Sequence, residues 1–398
     1  MNATLSVGDE GTGYDKKPGA WIPELTEVGR GTPMGELLRR YWHPVGLSTH
    51  ATDTPREVRI LGEDLVLFRD GQGRAGLVQA RCCHRGTTLY FGKVEDRGIR
   101  CCYHGWLFDV QGHCLEMPCE PNMGRDFAPV RQPWYPVQER YRLIFAYMGP
   151  PDKKPVLPRY ECLEVLDEGE FIDADDTSIG SGGPVIPECN WLQHYENVLD
   201  TFHVPILHGT FSGTQFTEVM NQMPNVDWTY TPLGVKVVST RPAAEDGKIM
   251  RRVTEVALPT LRVVPNPFVG KYGRVESIGW TIPIDDTHYR IYTAGRVKEK
   301  GVFLPKGVGA ATGRRWKDMS PQERREKPGD YEAQVGQGPI TFHTDENLRS
   351  SDRGIALLRR MLLKQVEEVK AGHDPIGVSF DPDAPPIVFE ASNRVVDA

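Results

Sequence analysis

The stretch that most constrains this chain is Arg81–Trp106, RCCHRGTTLYFGKVEDRGIRCCYHGW. It contains two cysteine doublets, each followed by a histidine, as Cys82-x-His84 and, sixteen residues later, Cys101-x2-His104. Thiolates and imidazoles at such short spacing are ligands that transition metals prefer. The pattern therefore predicts a metal site built by two hairpin-like loops, each supplying one thiol and one imidazole.

Two kinds of metal site fit these ligands. A structural zinc site accepts two cysteines and two histidines. A Rieske 2Fe–2S cluster instead needs two thiolates on one iron and two imidazoles on the other. The ligand set of the Rieske cluster matches a pair of loops that each contribute one cysteine and one histidine.

Local geometry determines only part of the choice within each doublet. In an extended segment alternate side chains share a face, so Cys82 points with His84 while Cys83 points away. The same alternation in the second loop favours Cys102. On this reasoning Cys101 and Cys102 remain alternatives.

A second set of candidate site residues lies in PECNWLQHYENVLDTFHVPILHG, Pro187–Gly209. A helix is predicted from Asn190 to about Leu207, with Asn190 and Gln193 as its capping box. Three polar side chains at three-residue steps would share one face of that helix: Asn197, Asp200 and His203.

His203 and His208 are the candidate ligands of a mononuclear iron. In a straight helix, five residues of separation would move His208 well off the face of His203. Pro205 removes a backbone donor between them, so a kink or loosened turn there would bring His208 back. Two imidazoles and one carboxylate form the facial triad of non-haem Fe(II). A zinc hydrolase site would not use an electron donor, and the HExxH pattern is absent.

The carboxylate ligand has to come from another part of the chain. Asp200 lies just ahead of His203, where it is suited to accept a hydrogen bond from the imidazole and fix its tautomer. The competing downstream carboxylates are Asp318, Asp330, Asp345 and Asp352.

The rest of the pattern predicts an α+β chain. Short β-like runs broken by turn residues extend to about Gly149, after an amphipathic helix at Pro33–Val45. A proline-rich linker, Pro150–Tyr160, precedes a region of strands with flanking helices, the last of them ending at Gly372. The predicted parts are an N-terminal segment 1–45, a 2Fe–2S domain 46–150, a linker 151–160 and a catalytic iron domain 161–398.

Charge and composition exclude other classes of protein. A net charge of −7 argues against nucleic acid as the main partner. No apolar run has the length of a membrane span, and the start MNATLSVGDEGTG lacks the features of a signal peptide. Eight cysteines in such a chain indicate thiols and metal ligands, so a cytoplasmic location is expected.

One motif is a decoy. Gly71, Gly73 and Gly76 match GxGxxG, but they join one strand-like run to the next with no helix after them. A glycine-rich hairpin is therefore predicted. Since no nucleotide-binding loop is found, electrons from NAD(P)H are expected to arrive from a separate flavin or iron–sulfur reductase.

CCHRG followed by CCYHGW resembles the Rieske signature of ring-hydroxylating oxygenases, whose second loop reads Cys-Pro-Tyr-His-Gly-Trp. The resemblance implies that Cys101 is the ligand and that Cys102 occupies the usual proline position. It also implies that the disulfide of respiratory Rieske proteins is absent, because Thr87 and Tyr103 occupy its positions. The cysteines interpreted as non-ligands are Cys83, Cys102, Cys114, Cys119, Cys162 and Cys189.

Other segments extend the resemblance along most of the chain: GTPMGELLRRYWHPV, the Asp-x2-His-x4-His segment, GDYEAQVGQGPI and SDRGIALLRR. They are similar to the phthalate-dioxygenase-like branch, in which the oxygenase consists of alpha subunits alone. The resemblance selects Asp330 as the third iron ligand, with Glu332 as its nearest rival. It implies a β-rich Rieske domain followed by a helix-grip domain, an antiparallel sheet curved around helices.

The function implied is that of a terminal oxygenase with one 2Fe–2S cluster and one Fe(II). It would hydroxylate or O-demethylate an aromatic compound with O2, with Asp200 and Asn197 as catalytic residues. A head-to-tail trimer is implied, in which one subunit's cluster serves the next subunit's iron at Asp200. The alternatives are a cis-dihydroxylating dioxygenase and a non-catalytic Rieske electron carrier. The expected apolar pocket residues are Trp191, Phe202 and Phe216.

Overall fold

The computed structural model describes residues 13, 16–126, 128–177, 182–213, 216–265, 275–300 and 316–398. Its α-helices are α1 (Pro23–Thr26), α2 (Pro33–Leu38), α3 (Glu161–Glu164), α4 (Trp191–Asn197), α5 (Pro321–Glu326), α6 (Asp330–Val335) and α7 (Arg353–Lys370). A π-helical segment covers Val204–Phe211. Short 3-10 turns include Ser48–His50, Leu89–Phe91, Pro151–Lys153, Glu218–Asn221, Trp316–Asp318, His343–Asp345 and Ser350–Asp352.

The first eleven strands form three small antiparallel sheets. They are β1 (Trp42–Leu47), β2 (Arg56–Ile60), β3 (Glu63–Arg69), β4 (Ala75–Gln79), β5 (Lys93–Glu95), β6 (Gly98–Arg100), β7 (Leu107–Phe108), β8 (Cys114–Glu116), β9 (Trp134–Tyr135), β10 (Val137–Arg140) and β11 (Leu143–Tyr147). The strand orders are β1-β11-β10, β2-β3-β4-β9 and β5-β6-β7-β8. The second Cys–His loop joins β6 to β7 of the last sheet, and the first lies between β4 and the 3-10 turn that precedes β5.

The GxGxxG stretch is a β-hairpin turn, as predicted. It joins β3 to β4, and the carboxylate of Asp70 accepts hydrogen bonds from the amides of Gln72 (3.1 Å) and Arg74 (2.9 Å). The turn is thus closed by its own aspartate.

The second half of the chain is built on one large antiparallel sheet. Its strands are β12 (Phe171–Asp175), β13 (Asn225–Tyr230), β14 (Gly234–Pro242), β15 (Lys248–Ala257), β16 (Leu261–Val263), β17 (Ser277–Asp285), β18 (His288–Val297) and β19 (Ser392–Asp397). The order is β12-β18-β17-β16-β15-β14-β13, with β19 beside β16 along one edge of β15. This β-rich domain followed by a sheet-dominated domain with a few helices is the α+β architecture predicted.

One face of the large sheet, here called the inner face, lies against the helices. Trp228 on β13 donates its indole N–H to the carbonyl oxygen of Leu199, just after α4 (2.9 Å). Tyr289 on β18 donates its hydroxyl to Gln334 on α6 (2.9 Å). Gly354 on α7 sits so close to Trp228 that an added Cβ would lie 2.3 Å from its ring nitrogen. The sheet therefore holds the helices at both ends of this face.

Two helix predictions need correction. The helix expected over Pro33–Val45 ends at Leu38, and β1 follows because Trp42–Leu47 pairs with β11. The helix expected from Asn190 to about Leu207 ends at Asn197 and resumes as the π-helical segment. The long C-terminal helix is confirmed as α7.

The predicted capping box at Asn190 is half wrong, because Asn190 caps the helix but Gln193 does not. Asn190 does cap α4, since its side-chain oxygen accepts from the amide of Leu192 (3.0 Å). Gln193 does not reach back to the cap. Its amide donates instead to the carbonyl oxygens of Gln334 (2.8 Å) and Gly338 (3.1 Å), because tertiary contacts with the α6 region compete for it.

Among the described residues, no helix combines the length and the apolarity required to cross a bilayer.

A buried histidine makes the fold sensitive to acid. His43 on β1 is fully buried, its Nε2 lies 2.7 Å from the carbonyl oxygen of Leu38, and burial lowers its pKa to about 4. The unfolded chain binds this proton below about pH 6.5, so stability falls as the pH drops from about 6.5 towards 4. At pH 5 the loss for this group is about 2 kcal/mol.

His43→Gln is expected to reduce the loss of unfolding free energy between pH 7.5 and pH 5 by about 2 kcal/mol. Urea unfolding at the two pH values measures it. His373→Gln, at an exposed histidine, is the control and should leave the difference unchanged. Equal pH dependence in wild type and His43→Gln would contradict the prediction.

Candidate metal sites

The two Cys–His loops are closed by the same pair of backbone hydrogen bonds. The amide of Cys82 donates to Thr87 (2.9 Å), and that of Cys101 donates to Trp106 (2.9 Å), five residues on in both cases. The carbonyl oxygen of each cysteine accepts from a glycine four residues on, Gly86 (2.8 Å) and Gly105 (3.1 Å). Both glycines have positive φ, +79° and +73°, which only glycine adopts easily. By this geometry Cys101 is the counterpart of Cys82.

Burial separates the two members of each doublet. Cys82 and Cys101 are both 3% exposed and belong to one small apolar cluster, whereas Cys83 and Cys102 are exposed. Burial raises the pKa of Cys82 to about 12, and the adjacent Cys101 thiol contributes to the increase. The structure thus brings Cys101, and not Cys102, next to Cys82.

The two histidines lie together on the outer side of the buried thiols. The His84 and His104 rings are 4.5 Å apart between centroids in an edge-to-face arrangement. The Trp106 ring stacks on His84 at 4.4 Å with an interplanar angle of 5°. Both imidazoles are half-buried, so the site has a sulfur side within the core and a nitrogen side towards the surface.

This separation distinguishes between the two kinds of site. Ligand atoms around one tetrahedral zinc lie about 3.5 Å apart. In the described part of the chain, no three donor atoms of these four residues come within 4.8 Å of one another. Two thiols on one side and two imidazoles on the other fit a two-iron cluster better.

The second site is formed by His203, His208 and Asp330. The Nε2 atoms of His203 and His208 lie 3.5 Å and 3.1 Å from Oδ1 of Asp330. Within the described ranges, this is the one group of three histidine, cysteine or acidic side chains with ligand atoms all within 4.8 Å of one another. Two imidazoles and one carboxylate around a common point could hold one metal ion.

The π-helical segment explains how two histidines five residues apart converge. A π-helix bonds residue i to residue i+5, so His203 and His208 fall one turn apart on the same side. Their rings are 5.3 Å apart between centroids. Pro205, which lacks an N–H, stands in the first turn of this segment. The loosened turn expected at Pro205 is therefore observed.

Asp330 comes from a distant part of the chain and is held next to this segment. It is the first residue of α6, and Ser212, just past the π-helical segment, donates its hydroxyl to the carbonyl oxygen of Pro328. Glu332 lies outside the group. Its carboxylate accepts from the amide of Gly329 (2.9 Å) and from the indole of Trp316 (2.7 Å). Three other carboxylates considered from the sequence also lie outside it: Asp318, Asp345 and Asp352.

Electrostatics keep the carboxylate ionised. Burial alone would raise the pKa of Asp330, but the imidazoles of His208 and His203 outweigh it and lower the pKa to about 2. Burial alone would lower the pKa of His203, but Asp200 and Asp330 outweigh burial and raise that pKa. An ionised carboxylate between two imidazoles is the donor set that a cation requires.

Asp200 and Asn197 each touch one member of the group. Oδ2 of Asp200 lies 3.3 Å from Nδ1 of His203, which leaves Nε2 of that ring facing Asp330. Asn197 donates its side-chain amide to Oδ1 of Asp330 (3.4 Å). The two residues do not share a continuous helical face with His203, because α4 ends at Asn197.

Comparisons with known proteins decide the family. Residues 41–136 match the Rieske [2Fe-2S] domain. The chain is 49% identical to the phenoxybenzoate dioxygenase subunit alpha of Ectopseudomonas oleovorans over 96% of this chain and 94% of that protein. The chain belongs to the Rieske oxygenases, as an oxygenase (alpha) subunit.

A further relative agrees with this assignment, and a solved structure shares the fold. The 5,5'-dehydrodivanillate O-demethylase oxygenase subunit of Sphingobium sp. is 34% identical over 90% of this chain and 82% of that protein. The solved structure of the NdmA QL mutant of Pseudomonas putida CBB5 with caffeine has the same fold. Its TM-score is 0.63 at 19% identity, over 88% of this chain and 99% of that one.

A Rieske oxygenase alpha subunit carries one Rieske cluster and one mononuclear iron, and both donor sets described above fit these groups. The structural zinc and electron-carrier alternatives are disfavoured, since the relatives are oxygenase subunits. The chain is thus an enzyme, the terminal oxidoreductase component of a multicomponent system.

A polar network behind Asp330 was not foreseen from the sequence. Gln334, one turn after Asp330 on α6, accepts from the Tyr289 hydroxyl (2.9 Å), and its Oε1 lies 3.3 Å from Nδ1 of His194. His194 is buried, and burial lowers its pKa to about 3, so it is neutral. The i, i+4 spacing of Asp330 and Gln334 was the available signal.

The three aromatic residues expected in a pocket have different surroundings. The Phe216 ring contacts His208 edge-to-face at 5.1 Å between centroids. Phe202 packs against Trp228 at 6.1 Å. Trp191 is fully buried in the core against Tyr195, which makes it a packing residue.

Proposed function

We propose that this chain hydroxylates or O-demethylates an aromatic compound at an iron held by His203, His208 and Asp330. The convergence of these three ligand atoms within 4.8 Å carries the proposal. The cluster would be held by the donor set described above, Cys82, His84, Cys101 and His104. The proposed division is a Rieske domain at 46–150 and a catalytic domain at 161–398, joined by the linker 151–160.

When bound, the cluster passes single electrons and the iron activates O2. Side chains of the protein position the iron ligands and exclude water. Asp330 stays ionised between two imidazoles, and Asp200 orients His203 so that its Nε2 faces the ligand site. Asn197 donates a hydrogen bond to Asp330 and limits its rotation. Phe216 covers His208 with an apolar ring and excludes water from that side.

The proposed assembly is a head-to-tail trimer. Asp200 keeps a third of its side chain exposed, more than any of the three iron residues, which suits a role at a contact. The rim of the cluster loops is also exposed and aromatic, with Tyr103 at 56% and Phe91 at 66% exposure. Contacts between two different surfaces must close into a ring, and three subunits accomplish this.

The proposed partners are a separate NAD(P)H-dependent reductase, O2 and a small aromatic substrate, in the cytoplasm. The relatives act as an aromatic dioxygenase and an O-demethylase by name, and both reactions are proposed here as alternatives. Cis-dihydroxylation is the second candidate reaction, since the relative with 49% identity is named a dioxygenase.

Metal analysis and turnover together test the proposal. Purified protein should contain about three irons per chain, whereas an electron carrier would contain about two and a structural zinc protein none. With a surrogate reductase, NADH and O2, aromatic acids and aryl ethers should yield oxygenated products. Three irons without any product would contradict the oxygenase proposal.

Asp200→Asn is expected to separate NADH oxidation from product formation. Asparagine keeps the size of the side chain but lacks the charge next to His203, so product formation should fall about 10–100-fold with both metals retained. Product yield per NADH and iron content measure the effect. Asp227→Asn, at an exposed aspartate on β13, is the control. Wild-type yield in Asp200→Asn would remove Asp200 from the electron path.

A further inference from the structure

Arg241 on β14 is a buried cation without an acidic partner among the described residues. It is 1% exposed, its Nε donates to the carbonyl oxygen of Gln222 (2.8 Å), and its Nη1 donates to the hydroxyl of Ser239 (3.2 Å). Both acceptors are neutral, and none of the carboxylates in the described part of the chain forms an ion pair with Arg241. Burial lowers the pKa of Arg241 to about 10, and the group still carries its charge at neutral pH.

Arg241 points from the inner face of the large sheet. Alternate residues of a strand share a face, so Arg241 and Ser239 lie on the side of Val237, which pairs with Trp228 in register. Trp228 contacts the end of α4. Arg241 therefore lies on the side of the sheet that holds the iron-site helices.

Contacts connect Arg241 to the iron segment, the stretch from His203 to His208. Its partner Gln222 directly follows the 3-10 turn Glu218–Asn221. That turn packs on the π-helical segment so closely that a Cβ on Gly209 would lie 2.9 Å from Oδ1 of Asn221. Gly209 is the neighbour of His208, so Arg241 is linked through Gln222 and this turn to the segment that carries an iron-site histidine.

The same face has further polar groups. Arg252 and Arg262 project from it on β15 and β16, by their register with Ser239 and Val256, and they add positive charge. Arg252 has Glu276 as an acidic neighbour, and Arg262 has Asp330, so these two are partly neutralised within the protein. Within the described ranges, Arg241 has no such neighbour.

Two hydroxyls on this face are unsatisfied. Thr281 and Thr293 are buried, and neither side-chain oxygen has a hydrogen-bond partner in the ranges that the structure describes. Their register with Ile291 and Gly279 puts them on the face that carries Arg262. Buried polar atoms without partners are rare in native proteins and indicate a ligand or water that completes them.

A buried charge without a counter-charge is destabilising, because hydrogen bonds to neutral groups replace only part of the hydration that burial removes. A protein retains such a destabilising residue where a ligand of opposite charge pairs with it. A guanidinium presents a planar pair of donors that matches a carboxylate in two parallel hydrogen bonds. The Arg241 guanidinium therefore fits an anion with two parallel acceptor oxygens, such as a carboxylate.

We propose that Arg241 is the anion-binding residue of the substrate site and that the substrate is an aromatic carboxylate. The inference rests on the proposed function, since it places the substrate between the inner face of the sheet and the iron residues. Arg241 binds the carboxylate, and the ring extends towards His208 and Phe216. Arg241 determines specificity and takes no part in the chemical step.

Binding to the holoenzyme under anaerobic conditions tests this assignment. The probes are phenoxybenzoate and its neutral counterpart phenoxybenzyl alcohol, titrated by calorimetry. Arg241→Gln should weaken binding of the acid at least tenfold and leave the alcohol within twofold, while Arg241→Lys should recover part of the loss. Arg251→Gln is the matched control, because Arg251 lies on the opposite face of the neighbouring strand.

Thermal unfolding separates ligand binding from a structural role. If Arg241 serves only to join Gln222 to Ser239, Arg241→Met lowers the melting temperature of the ligand-free protein. If it awaits an anion, Arg241→Met leaves that temperature unchanged or higher, and stabilisation by phenoxybenzoate disappears. A lower melting temperature with stabilisation retained overturns the proposal.

The remaining outcomes are also decisive. Equal loss of acid and alcohol in Arg241→Gln overturns the proposal, and so does a wild type that binds neither probe or binds both equally. Acid binding that depends on Arg241 without any product under turnover conditions leaves the anion site standing and contradicts the proposed function. Product formed equally by wild type and Arg241→Gln supports the proposed function and contradicts the anion site.

Discussion

Replacing Cys101 by serine is expected to abolish the Rieske cluster, whereas replacing Cys102 by serine should leave it intact. Cys101 is buried against Cys82, and its loop has the same two backbone hydrogen bonds as the Cys82 loop. Cys102 faces solvent. Cys101→Ser should lose about two of about three irons per chain and the visible and reduced-state EPR spectra of the cluster.

Matched changes in both loops make this test specific. Cys83→Ser and Cys102→Ser alter the exposed member of each doublet and should both retain the spectrum. Cys82→Ser should behave like Cys101→Ser. A cluster that survives in Cys101→Ser but disappears in Cys102→Ser would contradict the equivalence of the two loops.

The second loop shows why local reasoning left its cysteine undecided. The alternation argument assumes an extended chain, but both loops turn back, because the amides of Gly86 and Gly105 donate to the cysteines four residues before them. In such a turn, side chains two or three apart can face the same point. His104 therefore approaches from the third position in one loop, whereas His84 does so from the second in the other.

The iron segment shows a different limit of sequence reasoning. The positions of His203, Pro205 and His208 indicated a loosened turn, and a π-helical segment is present there. The break after Asn197 was not predicted, because helical periodicity continues through the sequence there while tertiary contacts end the helix. One such contact is the hydrogen bond from Trp228 to Leu199.

The place of Asp330 in the site depends on contacts between distant parts of the chain. More than a hundred residues separate Asp330 from His208, and spacing carries no information at that distance. Only the resemblance of GDYEAQVGQGPI to other oxygenases distinguished Asp330 from its rivals. Arg241 had a weaker signal. It sits at an inward position of VKVVSTRP, where alternation would predict an apolar residue.

Asp330→Ala is expected to remove the mononuclear iron and to leave the cluster unchanged. Asp330 supplies the only carboxylate of the group, and two imidazoles alone hold a divalent cation weakly. The iron content should fall from about three to about two per chain, with the reduced EPR spectrum of the cluster retained. Product formation should fall further than the roughly 10–100-fold typical of removing a residue behind a metal ligand.

Glu332→Gln is the control that separates loss of a ligand from disruption of α6. Glu332 lies two residues further on, and glutamine can still accept the hydrogen bonds from Gly329 and Trp316. This variant should therefore keep about three irons per chain and near wild-type turnover. If Asp330→Ala keeps its iron while Glu332→Gln loses it, the carboxylate ligand is Glu332, and α6 must turn on binding metal. The arrangement of the site argues against that turn, because the two imidazoles hold the Asp330 carboxylate ionised between them.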